Sequence, residues 1–354
     1  MAALGTSGLT GVILSMLMAE RINSQINREV VLLNLLPVKL AGDPMSWAVK
    51  FRGRTAAAGI AETAAAPVAT SDVRVQASLV IGEYSDTAGV TGKAEAAAAL
   101  ALNPMGVAGG EDLMADELSD SIGNVAESLA NHVYSGTGGA TDPIIGLATA
   151  VAATGTYAGI NRATYPEWAS VADTGSLAAI SKELLRTSMT NIRTACGKRV
   201  NLAVCTPALL DRIKSLDSTY PAYVSSIPIN GVDKKLVSGS RAVYIEDCWF
   251  VDDPRCTANV IYLLNTDHIA IRSMPQFTSA KYAPDVIAAE MSRLTGTTIR
   301  AEEAAALMGK ALSSGIVSFI KRLGPTGNQE NNQVIVYPQL QLIGCKFHGK
   351  LTLS

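Results

Sequence analysis

Between residues 45 and 52 apolar and polar side chains alternate. Met45, Trp47, Val49 and Phe51 fall on one side, and Ser46, Ala48, Lys50 and Arg52 on the other. A second alternating run sets Val73, Val75, Ala77 and Leu79 against Asp72, Arg74, Gln76 and Ser78. A period of two predicts two strands, and the small, polar stretch 53–71 between them predicts a hairpin with a long tip. A two-stranded ribbon is not stable by itself in water, so this one must dock on something.

Elsewhere the apolar period is helical. In residues 9–36 Val12, Leu14, Leu17, Met18, Ile22 and Ile26 follow one side, and Pro37 stops the pattern, which predicts an amphipathic N-terminal arm. The alanine-rich stretch 94–101 predicts a short helix broken at Asn103-Pro104. The clearest helix covers 111–135. Leu118, Ile122, Val125, Leu129 and Val133 recur at three- and four-residue steps, Glu111, Asp112, Asp116, Glu117 and Asp120 crowd its first turns, and Gly136 ends it. At ~1.5 Å per residue it is roughly 35 Å long.

A second amphipathic helix is predicted over 176–196, with Arg186, Arg193, Lys198 and Arg199 gathered toward its C-terminal end and Gly197 as its cap. Residues 200–205 read as a buried strand; Thr206 and Pro207 then supply an N-cap and a first-turn proline for a helix to Leu216. Residues 241–246, 259–265 and 268–272 read as strands, the last two joined by a tight turn at Asn265-Thr266-Asp267. Strand–helix–strand alternation makes this region an α/β packing unit. The pattern is helical again over 295–323, a polar loop over 324–332, and strand-like from Val334 to Ser354.

Composition narrows the class. Of 354 residues 48% are apolar and only 17% charged, a balance that raises the question of a membrane. The run 9–19 is closed by Glu20 and Arg21, too short for the ~20 apolar residues of a spanning helix and without the basic lead of a signal peptide. The expectation is a soluble, unexported chain with no membrane partner, whose charge-poor surface is covered by protein partners. A net charge of −2 argues against a dedicated nucleic-acid binder, but leaves room for loose confinement of DNA. Cys196, Cys205, Cys248, Cys256 and Cys345 are scattered with no C-x-x-C, and His132, His268 and His348 lie far apart, so buried free thiols are expected and a zinc site is not.

No P-loop, G-x-S-x-G or H-E-x-x-H is present, and the Gly136–Gly139 cluster follows a helix rather than opening one, which makes it a turn and not a phosphate cradle. No catalytic, cofactor-binding or metal residue is assigned, and the chain is not read as an enzyme. Trp168 and Trp249 are expected to anchor the core, Trp47 stands between a local and an intersubunit contact, and Arg162 is read as an intrasubunit tie between domains ahead of a surface charge.

Residues 129–168 read LANHVYSGTGGATDPIIGLATAVAATGTYAGINRATYPEW: a helix end, a Gly/Thr-rich turn, a Pro-Ile-Ile-Gly-Leu segment and an Arg…Trp segment. This stretch, together with VIYLLNTDHIAI at 260–271, resembles the tailed-phage major capsid proteins of the Hong Kong 97 fold. The resemblance implies an α+β chain: an N-terminal arm (1–44), an extended hairpin loop (45–93), a peripheral domain (94–186) with its spine helix at 111–135, an axial domain (187–290), a helical connection (291–332) and a returning peripheral strand (333–354).

It also implies a major capsid protein whose copies form the pentamers and hexamers of an icosahedral virion shell around double-stranded DNA, bound without sequence specificity. Trp47, Phe51, Arg52, Arg54, Glu117 and Asp120 are the candidate intersubunit contacts. Because the hairpin begins within fifty residues of Met1, scaffolding is expected from a separate protein or from the N-terminal arm itself; a portal and decoration proteins are further expected partners. Some members of the fold weld their shells through a hairpin lysine, and residues 53–92 hold none, so crosslinking is not expected. The alternatives are an encapsulin-like nanocompartment shell and, in another class, a soluble α/β enzyme.

Overall fold

A computed structural model describes residues 31–52, 73–91, 113–177, 180–216, 226–229, 232–235, 242–274, 318–326 and 329–354. The stripe in 9–26, the hairpin tip with Arg54, the short helix at 94–101 and the helical pattern at 295–317 lie outside these residues.

The ribbon forms as its alternation requires. β2 (Met45–Arg52) pairs antiparallel with β3 (Val73–Leu79), matching Met45 to Leu79, Trp47 to Ala77 and Val49 to Val75. The register shifts between Lys50 and Arg52, leaving Phe51 in a bulge. Met45, Ala77 and Leu79 are buried, so the apolar face at the hairpin base docks on the chain's own core. Ahead of it, α1 (Val31–Leu35) buries Val31, Leu32, Leu33 and Leu35, and β1 (Val38–Leu40) follows Pro37.

The spine helix, α2 (Leu113–Ser135), turns Leu118, Ile122 and Ala126 toward Ala88 and Val334. Those two belong to a three-stranded antiparallel sheet in the order β15 (Ser318–Thr326), β16 (Gln329–Val336), β4 (Tyr84–Thr91). Here the sequence reading is corrected. Residues 318–323, expected to be helical, and most of the expected polar loop 324–332 are strand. Mid-strand polar residues such as Asn331 and Asn332 pair through the backbone on both sides, and that ladder overrides side-chain character. Leu323 is skipped by the pairing and left exposed. β4, with its Ser-Asp-Thr-Ala-Gly core, carries no apolar run that could announce it.

After the spine helix the chain runs through α3 (Leu147–Ala150), the small hairpin of β5 (Thr156–Tyr157) and β6 (Ile160–Asn161), and a single turn at Pro166–Trp168. The α/β unit follows: β7 (Val171–Gly175), α4 (Lys182–Cys196), β8 (Leu202–Cys205), α5 (Pro207–Ser215), the pair β9 (Ser226–Ile229) and β10 (Val232–Lys235), β11 (Ala242–Ile245), β12 (Cys248–Asp252), β13 (Val260–Leu264) and β14 (Ile269–Ser273). α4 starts later than the sequence reading has it. Residues 171–175 are held as an edge strand, and Ser181 caps the helix by accepting from the Leu184 N–H at 3.2 Å. Gly197, in the left-handed region at φ 73°, ends it as expected.

The main sheet has six strands in the order β11-β12-β8-β13-β18-β7, where β18 is Gly349–Leu353. β8 and β13 are buried on both faces. Ala203, Cys205, Ile261 and Leu263 meet α4 and α5, while Leu202, Val204, Tyr262 and Leu264 join the large core beneath the spine helix. β13 and β14 do not pair with each other: the turn at Asn265–Asp267 carries the chain into a second sheet, β1-β14-β17, with β17 at Pro338–Leu342. The closing strand β18 pairs with β13 and β7, so it lies in the sheet of the α/β unit, where the sequence reading puts it with the peripheral strands. Trp249 is a further correction: it is half-buried on β12 against Tyr244, with ring centroids 4.7 Å apart.

Candidate assembly surface

The base of the hairpin is bolted to its own subunit. Trp47 Nε1 donates to the Ile343 carbonyl at 3.2 Å. The Phe51 ring, aimed by its bulge, stacks on Tyr165 at 4.9 Å and meets Trp168 edge-on at 5.8 Å. Trp168 is fully buried and donates to the Tyr157 carbonyl at 3.1 Å, the core anchor that the sequence predicts. Trp47 and Phe51 thus both pack, partly buried, against the subunit's own core. Arg52 closes β2 at the tip side of this anchored base.

Glu117 and Asp120 are elsewhere, exposed on α2. Among the described side chains of that helix the exposed ones, Glu117, Asp120, Asn124, Glu127, Asn131 and Ser135, form one stripe at three- and four-residue steps. The opposite side is buried, so the helix is an amphipathic rod with an acidic outer edge.

What holds this rod against the α/β unit was not legible beforehand. Asp253, just past β12 and 1% exposed, accepts three hydrogen bonds from three parts of the chain. These are the Tyr134 hydroxyl at 2.7 Å, the Leu32 N–H at 3.4 Å and the Arg255 N–H at 3.0 Å. Arg255 reaches back to Glu127 Oε1 at 3.1 Å and Asn131 Oδ1 at 3.0 Å. Burial, with the Asp253 carboxylate beside it, pushes the Tyr134 hydroxyl far above its usual range, so the phenol stays a donor. The available signal was an Asp-Asp pair directly following a buried strand, where a charge needs partners.

The Gly-rich turn is set by close approach of backbone. Gly146 N–H donates to the Gly136 carbonyl at 2.9 Å, and a Cβ on Gly136 would lie 2.2 Å from the Ile144 carbonyl oxygen. Gly136 therefore stops the helix by admitting a crossing chain, not by a left-handed cap. Arg162, 3% exposed, is an intrasubunit tie rather than a surface charge, but a tie within the peripheral part of the chain and not the expected one between domains. It donates to the carbonyls of Ala150 at 2.7 Å, Thr154 at 3.0 Å and Thr149 at 3.3 Å, and its guanidinium lies 3.8 Å from Cys345 Sγ. Cys205, Cys248, Cys256 and Cys345 are buried free thiols whose pKa values burial raises.

The same architecture recurs in solved shells. The capsid subunit of cyanophage A-1(L) superposes with a TM-score of 0.64 at 20% identity, covering 91% of each chain. The capsid of the native GTA particle gives 0.54 at 10% identity, over 92% of this chain and 90% of that one. The SrpI encapsulin of Synechococcus elongatus PCC 7942 gives 0.52 at 10%, over 91% and 86%. At these identities the likenesses speak for the fold alone, which is the α+β Hong Kong 97-like capsid fold. No curated protein matches the chain. The family model described as SU10 major capsid protein matches residues 24–306. That span is most of the chain, which therefore belongs to the SU10 major capsid protein family and is a major capsid protein of a phage shell.

Proposed function

We propose that copies of this chain form pentameric and hexameric rings that close into an icosahedral shell around packaged double-stranded DNA, assembled in the host bacterial cytoplasm. The family match over residues 24–306 carries this reading. The α/β unit (187–290) is assigned to the ring axis, and the hairpin and spine helix to the lateral seams. The anchored hairpin base supports that assignment. With Trp47 and Phe51 held within the subunit and Arg52 closing β2 beyond them, the hairpin arginines Arg52 and Arg54 are read as contacts to a neighbouring subunit. Contacts of this head-to-tail kind close by rotation. Assembly is driven by apolar burial at ~25 cal/mol per Å² before association costs. The protein's work is geometric and involves no cofactor and no turnover of a substrate. A scaffolding protein, a portal and decoration proteins are its further partners.

Negative-stain electron microscopy of particles purified from cells that also carry the phage's other assembly proteins, with an absorbance ratio for nucleic acid, tests this. Uniform icosahedral shells carrying DNA are expected. Shells filled with protein cargo would move the assignment to a nanocompartment, and a persistent small oligomer would overturn it.

A further inference from the structure

The exposed edge of α2 carries carboxylates that the subunit itself does not use. Its stripe from Glu117 to Asn131 is about 20 Å long at ~1.5 Å per residue, and every ionisable group on it is acidic. Glu127 is bonded by Arg255, and Asn124 Nδ2 donates to Asp86 Oδ2 at 3.0 Å. Glu117 and Asp120 have no cation partner among the described residues. They stand one turn apart, where like charges repel. The helix dipole favours acids only in the first turn, and Asp120 lies a full turn beyond it.

Unused positive charge sits at the end of α4. Arg193 is exposed in the last turn and Lys198 follows the left-handed Gly197; neither has an anion partner among the described residues. Arg193 opens into a cleft of about 340 Å³ between α4 and the β11–β12 turn, floored by Met189. The other two arginines of the cleft are already paired. Arg186 binds Glu183 at 3.0 Å and Glu246 at 3.7 Å, and Arg199 binds Asp247. Glu246 and Asp247 form the turn, both in the left-handed region at φ 47° and 67°, positions that hairpins of this kind usually give to Asn-Gly. Placing two acids there pairs Arg186 and Arg199 and leaves Arg193 as the unpaired cation of the cleft, with exposed Lys198 next in sequence to the cleft residue Arg199.

We propose that this cleft receives the Glu117–Asp120 end of the spine-helix stripe of a second copy of the chain. The two patches are different surfaces, one with two unpaired carboxylates and one with two unpaired cations. Their pairing is head-to-tail, the geometry that generates rings. Charge matching of this kind sets register and encounter rate more than total affinity. The pairing presupposes the shell assembly proposed above.

Charge reversal in the full chain tests it. Glu117→Lys with Asp120→Lys, and separately Arg193→Glu with Lys198→Glu, should each lower particle yield about tenfold at moderate salt while the subunit stays folded by circular dichroism. The quadruple variant should recover yield. A second measurement is independent of that recovery: Asp120→Cys with Arg193→Cys, in a Cys196→Ser background, should give a ladder of disulfide-linked multimers on oxidation of assembled particles. Wild-type yield from either reversal, a quadruple variant no better than its parents, or particles without a ladder would overturn the pairing and leave the shell assignment standing. A folded wild-type chain that forms no particles even with the phage's other assembly proteins present would overturn both.

Discussion

The Tyr134 hydroxyl, in the last turn of the spine helix, donates to Asp253 Oδ2 at 2.7 Å across 119 residues of sequence. Both groups are buried, and the same carboxylate oxygen accepts the Leu32 N–H of α1. One charge therefore fixes the arm, the rod and the α/β unit relative to each other. Tyr134→Phe keeps the ring and removes the donor. A hydrogen bond to a buried charge contributes about 1.5–3 kcal/mol, and a loss in that range is expected in urea unfolding of the unassembled subunit. Asp253→Ala leaves the tyrosine and two N–H groups without an acceptor and should cost more than Tyr134→Phe. Equal losses would mean that the tyrosine carries the whole contact.

Arg162 should be intolerant of conservative change. Its guanidinium is spent on carbonyls from residues 149–154 and on Cys345, with no carboxylate among the described residues to neutralise it. The end carbonyls of α3 supply the negative partial charge instead. Arg162→Met preserves the stem and strands these carbonyls, a loss of about 3 kcal/mol. Arg162→Lys keeps the charge but not the fork, and should fall between the two. Denaturant midpoints of the three proteins give the order directly.

How far the sequence reached depends on which interactions are local. The β2–β3 register follows from alternation, α5 from Thr206-Pro207, and β13 from a run of five residues that is apolar on both faces. β4 has no apolar run and finds its ladder partners on β16 about 240 residues away, while β15 and β16 form a local hairpin whose polar mid-strand residues, Asn331 and Asn332 among them, do not carry a strand pattern. The same holds for the surface. Glu117 and Asp120 stood out as acids early in a helix, and Trp47 and Phe51 as the apolar side of a ribbon. Their partners Ile343 and Tyr165, and the place of Asp253, depend on long-range folding that no local period encodes.

Acid should weaken the fold through His348. The ring is fully buried, and its Nδ1 accepts the Asn265 N–H at 3.2 Å, which leaves its proton on Nε2. Burial, aided by the nearby His268, lowers its pKa from 6.5 to about 3. The unfolded chain then binds a proton below pH 6.5 that the folded chain refuses. Stability is intact above that pH and declines as pH falls toward 3, by at most about 1.4 kcal/mol per unit from this ring. His348→Asn retains an acceptor near Nδ1 and nothing to titrate. It should be less stable than wild type at pH 7 and show a shallower decline between pH 6 and pH 4 by about that slope. Parallel curves would remove His348 as the cause.

The hairpin arginines offer a direct probe of the lateral seam. Arg52→Glu with Arg54→Glu changes no residue of the anchored base around Trp47 and Phe51. The subunit should therefore unfold at the same denaturant concentration as wild type, while particle yield drops. Undiminished yield would remove the hairpin arginines from the seam.

Two glycines on the spine helix should respond to alanine with opposite signs. At Gly136 the added Cβ would sit 2.2 Å from the Ile144 carbonyl oxygen and 2.6 Å from that of His132. Both are backbone atoms already in hydrogen bonds, the His132 carbonyl accepting from the Gly136 N–H at 2.8 Å and the Ile144 carbonyl from the Gly138 N–H at 3.2 Å, so neither can retreat without opening the turn that leads to α3. Overpacking of this kind costs typically 1–3 kcal/mol and more when backbone must move. Gly123 lies mid-helix with nothing within 4 Å of the added methyl. There alanine only removes unfolded-state freedom and improves helix propensity, a gain of about 0.5–1 kcal/mol. Thermal unfolding of the unassembled subunit should move down for Gly136→Ala and up for Gly123→Ala. If Gly123→Ala stabilises the subunit yet lowers particle yield, the half-buried side of α2 around residue 123 is also occupied by a neighbour in the shell.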